Sequence, residues 1–419
     1  MNSIKLTKSE KSWVLYDVAC SAFIMLVSTT IPIFFRSLAE ADGVSPEHAS
    51  ALWGTVTAVA VLILAVISPI LGAIADYKGM KKKMFAGFLI MGLLGAVGLT
   101  ITSDWMAFMY IFVVARVGYS ATNVFYDSML TDVTTDERMD MVSSSGFAWG
   151  YIGSCIPFIL GILLIFVKPF GLDTITATRL SFILTAVWWM LCSIPLLRNV
   201  KQVHYLEKGE RGVLDVLPRL KNTFEKVKQD KKLLYFVLGY FCYIDGVYTI
   251  ISMATTYGGE VGISGTHMIL ALLLTQFVAF PFAILSGMQA KKYGAIKLIK
   301  LFVLLYMGIC VFGYQLDKPW EFWVLAISVG ICQGGIQALS RSYFGKLIPK
   351  EESNEYFGFF DIFGKFADFF GPIIMSLCAL FLGSSTYGVL ALIILFALGY
   401  LFLRASEKAA AVSDINPHE

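Results

Sequence analysis

The sequence predicts an all-α membrane protein, with twelve transmembrane helices in two pseudo-symmetric six-helix bundles. Three observations lead to that reading. Mean hydropathy is +0.72, and of the 419 residues 57% are apolar or aromatic and only 15% charged. A water-soluble fold could not bury so much apolar surface, so the solvent for most of the chain is lipid. The apolar residues fall in about a dozen blocks near the roughly 20 residues a helix needs to cross a bilayer, too long and too uniform for barrel strands. The third observation is that the two halves of the chain repeat one another.

The blocks place spans at 12–36, 48–75, 82–101, 104–128, 142–168, 177–197, 233–257, 264–290, 295–314, 319–345, 355–382 and 386–404. The basic start MNSIKLTKSEKS is followed by no small-residue cleavage site, so the first block reads as a membrane helix and not a removed signal. Pro69, Pro157, Pro281 and Pro372 fall inside spans, where neighbouring helices can satisfy the freed carbonyls. Lys78, Lys81, Lys82 and Lys83 follow span two, and Lys291, Lys292 and Lys297 follow span eight. The alternate loops carry Glu40, Asp42, Glu47, Asp104 and Glu260. Positive loops stay inside, so both termini are expected in the cytoplasm.

Residues 1–197 and 233–404 are the expected bundles. Between them, 198–232 is a linker with ten Lys/Arg against five Asp/Glu. In it Val213, Leu217, Leu220, Phe224 and Val227 recur at helical spacing, as in an amphipathic helix on the cytoplasmic leaflet. Residues 405–419 read as a polar cytoplasmic tail without fixed structure. An excess of three basic residues gives no support to nucleic-acid binding. The seven cysteines lie in apolar segments with no CxxC pair, and the four histidines are scattered, so no metal site, cofactor or disulfide framework is expected. No HExxH, GxSxG or Walker loop is present, which argues against an enzyme and against ATP-driven pumping.

LGAIADYKG (71–79) and SGMQAKKYG (286–294) superpose at a constant shift, so that Gly72 matches Gly287, Gly79 matches Gly294 and Lys82 matches Lys297. VFYDSML (124–130) likewise stands where ALSRSYF (338–344) stands, each followed by a polar loop and a Ser/Gly/Phe-rich helix start. Parallel six-helix repeats point to alternating access around a midplane site.

The loop after span two, with Gly72, Asp76, Gly79 and the lysines 81–83, resembles the signature of the major facilitator superfamily. The resemblance implies a cytoplasmic latch in which the glycines permit close helix packing, Asp76 places a negative charge near helix ends, and the lysines, Lys82 among them, pair with acidic groups such as Asp127. The second copy departs from this pattern, with Lys291 where Asp76 stands, so the latch is expected to be asymmetric. SWVLYDVACSAF (12–23), VFYDSMLTDV (124–133), SGFAWGYIG (145–153), YIDGVYT (243–249) and GGIQALSRSYFGKLIP (334–349) resemble the bacterial relatives of the fungal vacuolar amino-acid effluxer. That implies a transporter in the plasma (inner) membrane of a bacterium.

Charges inside the spans are costly and mark function or a structural pair. Asp17, after Tyr16, lies in span one, and Asp245, after Tyr243, lies in the matching span seven. Each suits a proton, a cation or an amine, or a helix–helix hydrogen bond. Arg116 is in span four, where its repeat counterpart is Gly330, so the fold does not require a cation there. It can clamp a carboxylate or tune a nearby aspartate, or else pair with Asp17 or Asp127. Asp361, Lys365 and Asp368 share one face of span eleven by their i, i+4, i+7 spacing. Uncharged candidates are Asn123, Tyr126, Gln276, Gln333, Gln337 and, among the aromatics, Trp149. Arg341 ends span ten and reads as a gate or headgroup contact. Together these predict a monomeric secondary transporter of a small polar or zwitterionic, amino-acid-like solute, coupled to H+ or Na+ or to neither, with lipid as its other partner. A lipid or lysolipid flippase of the same fold is the alternative, and a non-transporting receptor a further one.

Overall fold

The computed structural model describes residues 5–207, 216–260, 262–316, 318–383 and 386–415. The helices in chain order are α1 (Lys8–Ser28), α2 (Thr30–Ala41), α3 (Pro46–Ala75), α4 (Met80–Gly98), α5 (Trp105–Ser128), α6 (Leu130–Val133), α7 (Asp136–Val167), α8 (Thr174–Asn199), α9 (Val216–Gln229), α10 (Lys231–Glu260), α11 (Gly265–Tyr293), α12 (Ala295–Tyr314), α13 (Pro319–Leu347), α14 (Ser353–Leu382) and α15 (Thr386–Ile415). Among the described residues the sole β pairing is an isolated bridge from Tyr77 to Leu206.

Local chemistry sets the helix ends. Thr7 and Glu10 form a reciprocal capping box on α1. Ser45, Asp104, Asp173 and Ser264 cap α3, α5, α8 and α11 through their side-chain oxygens. The first span is interrupted at Thr29 and continues as α2. Pro69, Pro157, Pro281 and Pro372 all lie inside helices, as does Pro195. The matched glycines both take a positive φ, Gly79 at 72° and Gly294 at 87°, a region closed to most side chains, but with ψ 3° and 140° they turn the chain differently. Among the described residues, eleven helical stretches are long and apolar enough to cross a membrane, α1 and α2 counting together. α4, whose start carries Lys81–Lys83, is the further long helix at the place of the third span.

Two compact units emerge. The first comprises residues 1–133, 149–210 and 350–358; the second comprises 134–148, 211–349 and 359–419. Each holds most of one sequence half, plus the first turns of a long helix that belongs by sequence to the other: α14 begins in the first unit and α7 in the second. In the first unit α4 packs on α5 and α1 on α8; in the second α10 packs on α15 and α11 on α13. Close pairing relies on glycine, since a methyl group on Gly118 would strike the backbone of Gly92, and one on Gly388 the backbone of Met375.

Of the amphipathic linker helix, α9 is seen from Val216, and Val213 lies outside the described residues. Val216 and Thr223 are buried while Leu217 and Phe224 are exposed. Helix α15 runs to Ile415, so the segment expected to lack structure after Arg404 is helical through that residue. Ser406 is buried there and donates to the Lys232 carbonyl, and Glu407 pairs with Lys300.

Candidate functional site

In the first unit, α1 and α5 share a buried polar core. The Tyr126 phenol donates to Asp17 Oδ2 at 2.7 Å, and the Tyr16 phenol to Thr122 Oγ1 at 2.8 Å. Trp13 stacks on the Tyr126 ring at 4.5 Å and donates its indole N–H to the Tyr126 carbonyl. Asp17, Tyr16 and Tyr126 thus form one cluster. Arg116 does not join it. Its Nε and Nη1 are buried and have no hydrogen-bond partner among the described residues, and its guanidinium lies 5.5 Å from the Tyr119 ring centre. Neither of the ion pairs considered for it, with Asp17 or Asp127, is present. Asn123, two turns along the same helix face, has a buried Oδ1 without a partner among the described residues. Trp149, on α7, is about half exposed.

In the second unit, the Tyr243 phenol shares a 2.7 Å hydrogen bond with Ser340 Oγ, and Asp245 Oδ1 accepts the Gly371 N–H at 2.9 Å. Gly371 precedes Pro372, which has no N–H to offer the helix, and α14 at this point lends its backbone to α10. Lys365 binds Asp361 at 2.8 Å along α14. The Asp368 side chain lies outside the described residues. Gln276 on α11 and Gln333 on α13 line one cleft with apolar neighbours, and Gln337 follows one turn after Gln333.

The signature loop is a clasp in the first unit. Asp76, fully buried, accepts the Asn354 and Glu355 backbone N–H groups and the Asn354 side-chain N–H, at 2.9–3.1 Å. These donors open α14, where unsatisfied N–H groups and the helix dipole attract a carboxylate. Gly72 is needed for the approach, since a methyl group there would overlap the Asn354 carbonyl. The Ser128 hydroxyl donates to the Asn354 side-chain oxygen. The lysine that enters this core is Lys81, which binds Asp132 Oδ2 at 2.6 Å and donates to Ser353 Oγ at 3.1 Å. Asp132 Oδ1 in turn accepts the Val203 and His204 N–H groups. Lys82 instead donates to the Val200 carbonyl, and Asp127 stands one residue before the last of α5. The sequence reading had the lysines of this loop pairing with acidic groups such as Asp127; the partner it missed is Asp132, and the lysine that reaches it is Lys81.

Burial pushes the Asp76 carboxyl up to about 7, against the pull of Lys81 and the three N–H donors. A solvated Asp76 would titrate near 3.8. Between those values the clasped state binds a proton that the released state does not. Acidification from pH 8 to 5 therefore strengthens the clasp, and raising the pH through 7 weakens it. Amide hydrogen exchange over 350–358 is expected to be slower at pH 6 than at pH 8 once the intrinsic base catalysis is corrected for. Asp76→Asn should remove that difference, and an equal difference in the variant would exclude Asp76 as its source.

The second unit holds the counterpart, with the chemistry inverted. A methyl group on Gly287 would strike Ser144, near the start of α7. Here the clasping groups are cations on α13. Arg341 Nε donates to Ser143 Oγ at 3.0 Å and its Nη2 to the Ser143 carbonyl at 3.1 Å, and the guanidinium lies 4.3 Å from the Phe147 ring centre. Lys346 binds Asp140 at 2.6 Å, and the Ser342 hydroxyl donates to the same carboxylate. Arg341 is therefore a clasp residue within the protein.

Solved structures of major facilitator transporters share this fold. The human organic anion transporter MFSD10 (TETRAN) superposes at a TM-score of 0.74 with 12% identity, covering 95% of this chain and all of that one. The transporter FucP in its outward conformation superposes at 0.69 with 13% identity, covering 95% and 97%. The chain is a multi-pass membrane transporter of the major facilitator type. More narrowly, it belongs to the family described as "Vacuole effluxer Atg22 like", which it matches over residues 48–137 and 131–412. It is 42% identical over 405 residues to the uncharacterized MFS-type transporter YxiO of Bacillus subtilis (strain 168), covering 95% of both chains. Autophagy-related protein 22 of Yarrowia lipolytica is 27% identical over 279 residues, 58% of this chain and 47% of that one. Autophagy-related protein 22 of Saccharomyces cerevisiae (strain YJM789) is 22% identical over 464 residues, covering 89% and 86%.

Proposed function

We propose that the protein is a secondary active transporter of a small zwitterionic organic solute, amino-acid-like in charge pattern, working by alternating access with Arg116 as the receiver of the solute's acid group. The observation that carries this reading is the guanidinium of Arg116, held in a membrane span with two buried nitrogens lacking partners among the described residues. Burying a cation without a counter-charge is costly, and it is maintained where a transient anion completes the pair. Asp17 and Asp245 are the carboxylates on which proton coupling or amine binding would fall, and neutral donors reach both, the Tyr126 phenol for Asp17 and the Gly371 N–H for Asp245. The two clasps are the contacts that would be made and broken during the cycle. The family's description as effluxers supports outward movement of solute, across the plasma membrane of a bacterium with both termini inside. A flippase has no comparable support. Counterflow of radiolabelled amino acids into proteoliposomes of the purified protein tests the proposal, with and without an imposed pH gradient. Accumulation of at least one zwitterion above empty liposomes is expected. Exchange of none from a panel spanning acidic, basic and neutral side chains would overturn it.

A further inference from the structure

The second unit contains a cleft between α10, α11 and α13, with about 470 Å³ of empty space that includes the part open to solvent. Its walls are apolar: Ile250, Leu272, Phe322 and Leu325 are among them, Ala326 forms part of the α13 side, and no charged side chain lines it among the described residues. Three polar residues interrupt the lining. The Thr275 hydroxyl is satisfied by the Ala271 and Ala326 carbonyls. The amides of Gln276 and Gln333 are different, since both face the cleft and neither has a hydrogen-bond partner among the described residues; Gln276 is half-buried and Gln333 is 6% exposed. A primary amide that faces an apolar cleft without a protein partner keeps its donor and acceptor free for water or for a ligand. Helix packing does not call for it, because the α11–α13 approach is made by Gly330, where a methyl group would press on the Thr275 carbonyl and Val278.

The repeat sharpens the contrast. The 214-residue offset between Arg116 and Gly330 places Gln333 opposite Tyr119 and Gln337 opposite Asn123. The same face of the fourth helix in each half is therefore polar, but where the first half carries the Arg116 cation the second has Gly330. A cleft with apolar walls, two idle amides and no charge has the composition of a small-molecule pocket for an uncharged group.

We infer that this cleft is a binding subsite for the uncharged, largely apolar body of a solute, a branched alkyl or aryl group, whose adjoining amide, carbonyl or hydroxyl meets Gln333 and Gln276. The inference rests on the transporter reading for the identity of its occupant, but the cleft is tested separately. Saturation-transfer NMR on the full-length protein in detergent uses isovaleramide and benzamide as probes, with acetamide as the polar control. Saturation transfer to the two apolar amides and not to acetamide is expected. Ala326→Trp, which fills the cleft, and Leu272→Trp, from the facing wall, should each abolish it. Gln333→Leu should weaken it roughly tenfold, the loss of about one hydrogen bond. Partition of the probes into micelles is common to all four proteins and cancels. Absence of transfer in the wild type, or transfer undiminished in both tryptophan variants, would overturn the subsite. Gln333→Leu keeps the side-chain volume close, so its result stands even if a tryptophan variant fails to fold. Counterflow that persists while the cleft proves empty removes the subsite alone, whereas binding without any counterflow removes the transporter reading alone.

Discussion

Arg116→Ala is expected to reduce solute affinity by about 30-fold to several thousand-fold, the roughly 2–5 kcal/mol that truncating one side of a desolvated charge pair costs. The same substitution should leave the apparent melting temperature unchanged or raise it. The reason is that Arg116 Nε and Nη1 make no hydrogen bond to the described residues, so removal orphans no partner and relieves a buried cation. A structural arginine would show the reverse pattern, with thermal stability falling and affinity following only in proportion. Arg116→Lys is expected to restore part of the affinity, since it keeps the charge but not the planar fork of donors. Equilibrium binding and scanning fluorimetry on the same preparations separate the two. Full affinity in the alanine variant would end the assignment.

The second large effect concerns Lys81. With side chains 1% and 0% exposed, Lys81 and Asp132 form a fully buried ion pair. Lys81→Met should destabilise the protein by about 3–5 kcal/mol, because Asp132 is left buried without its lysine, with the Val203 and His204 N–H groups and the His204 ring 3.4 Å away as its remaining partners. Lys81→Met with Asp132→Asn should recover much of that loss, since a desolvated pair gains little over a neutral one and the Asn oxygen still accepts from Val203 and His204. Additive losses in the double variant, read from apparent melting temperatures, would mean that the two side chains act independently. Lys82→Met, whose ammonium serves one carbonyl at a partly buried position, is expected to cost far less.

Hydropathy made the helices legible because lipid imposes one long-range rule, that apolar blocks of a given length must be helical. The repeat made Gly72 and Gly287 legible as a pair, and both prove to be places where another helix start leaves no room for a side chain. What the pattern left open was register. In the run Lys81–Lys83, successive residues point about 100° apart, and the charge pattern alone gives no reason to prefer the one that faces Asp132. Nor does a linear repeat say which unit receives the first turns of α7 and α14. Asp17 was visible as a membrane carboxylate, but its partner Tyr126 stands 109 positions away and was singled out on other grounds. Arg116 was identified by contrast with Gly330, and the missing partner is a fact only coordinates supply.

The presence of residues 350–358 in the first unit carries a consequence for biogenesis. When the ribosome has finished residue 210, the loop around Gly72 has no Asn354 against it, and Asp76 has none of the three N–H donors it will later hold. The nascent amino-terminal bundle must wait in the bilayer, hydrated at that spot, through the synthesis of some 140 more residues. A fragment ending at 210 would therefore carry a permanent wound at this surface, open to proteases and quality control, and co-expression of the remainder of the chain is what would heal it.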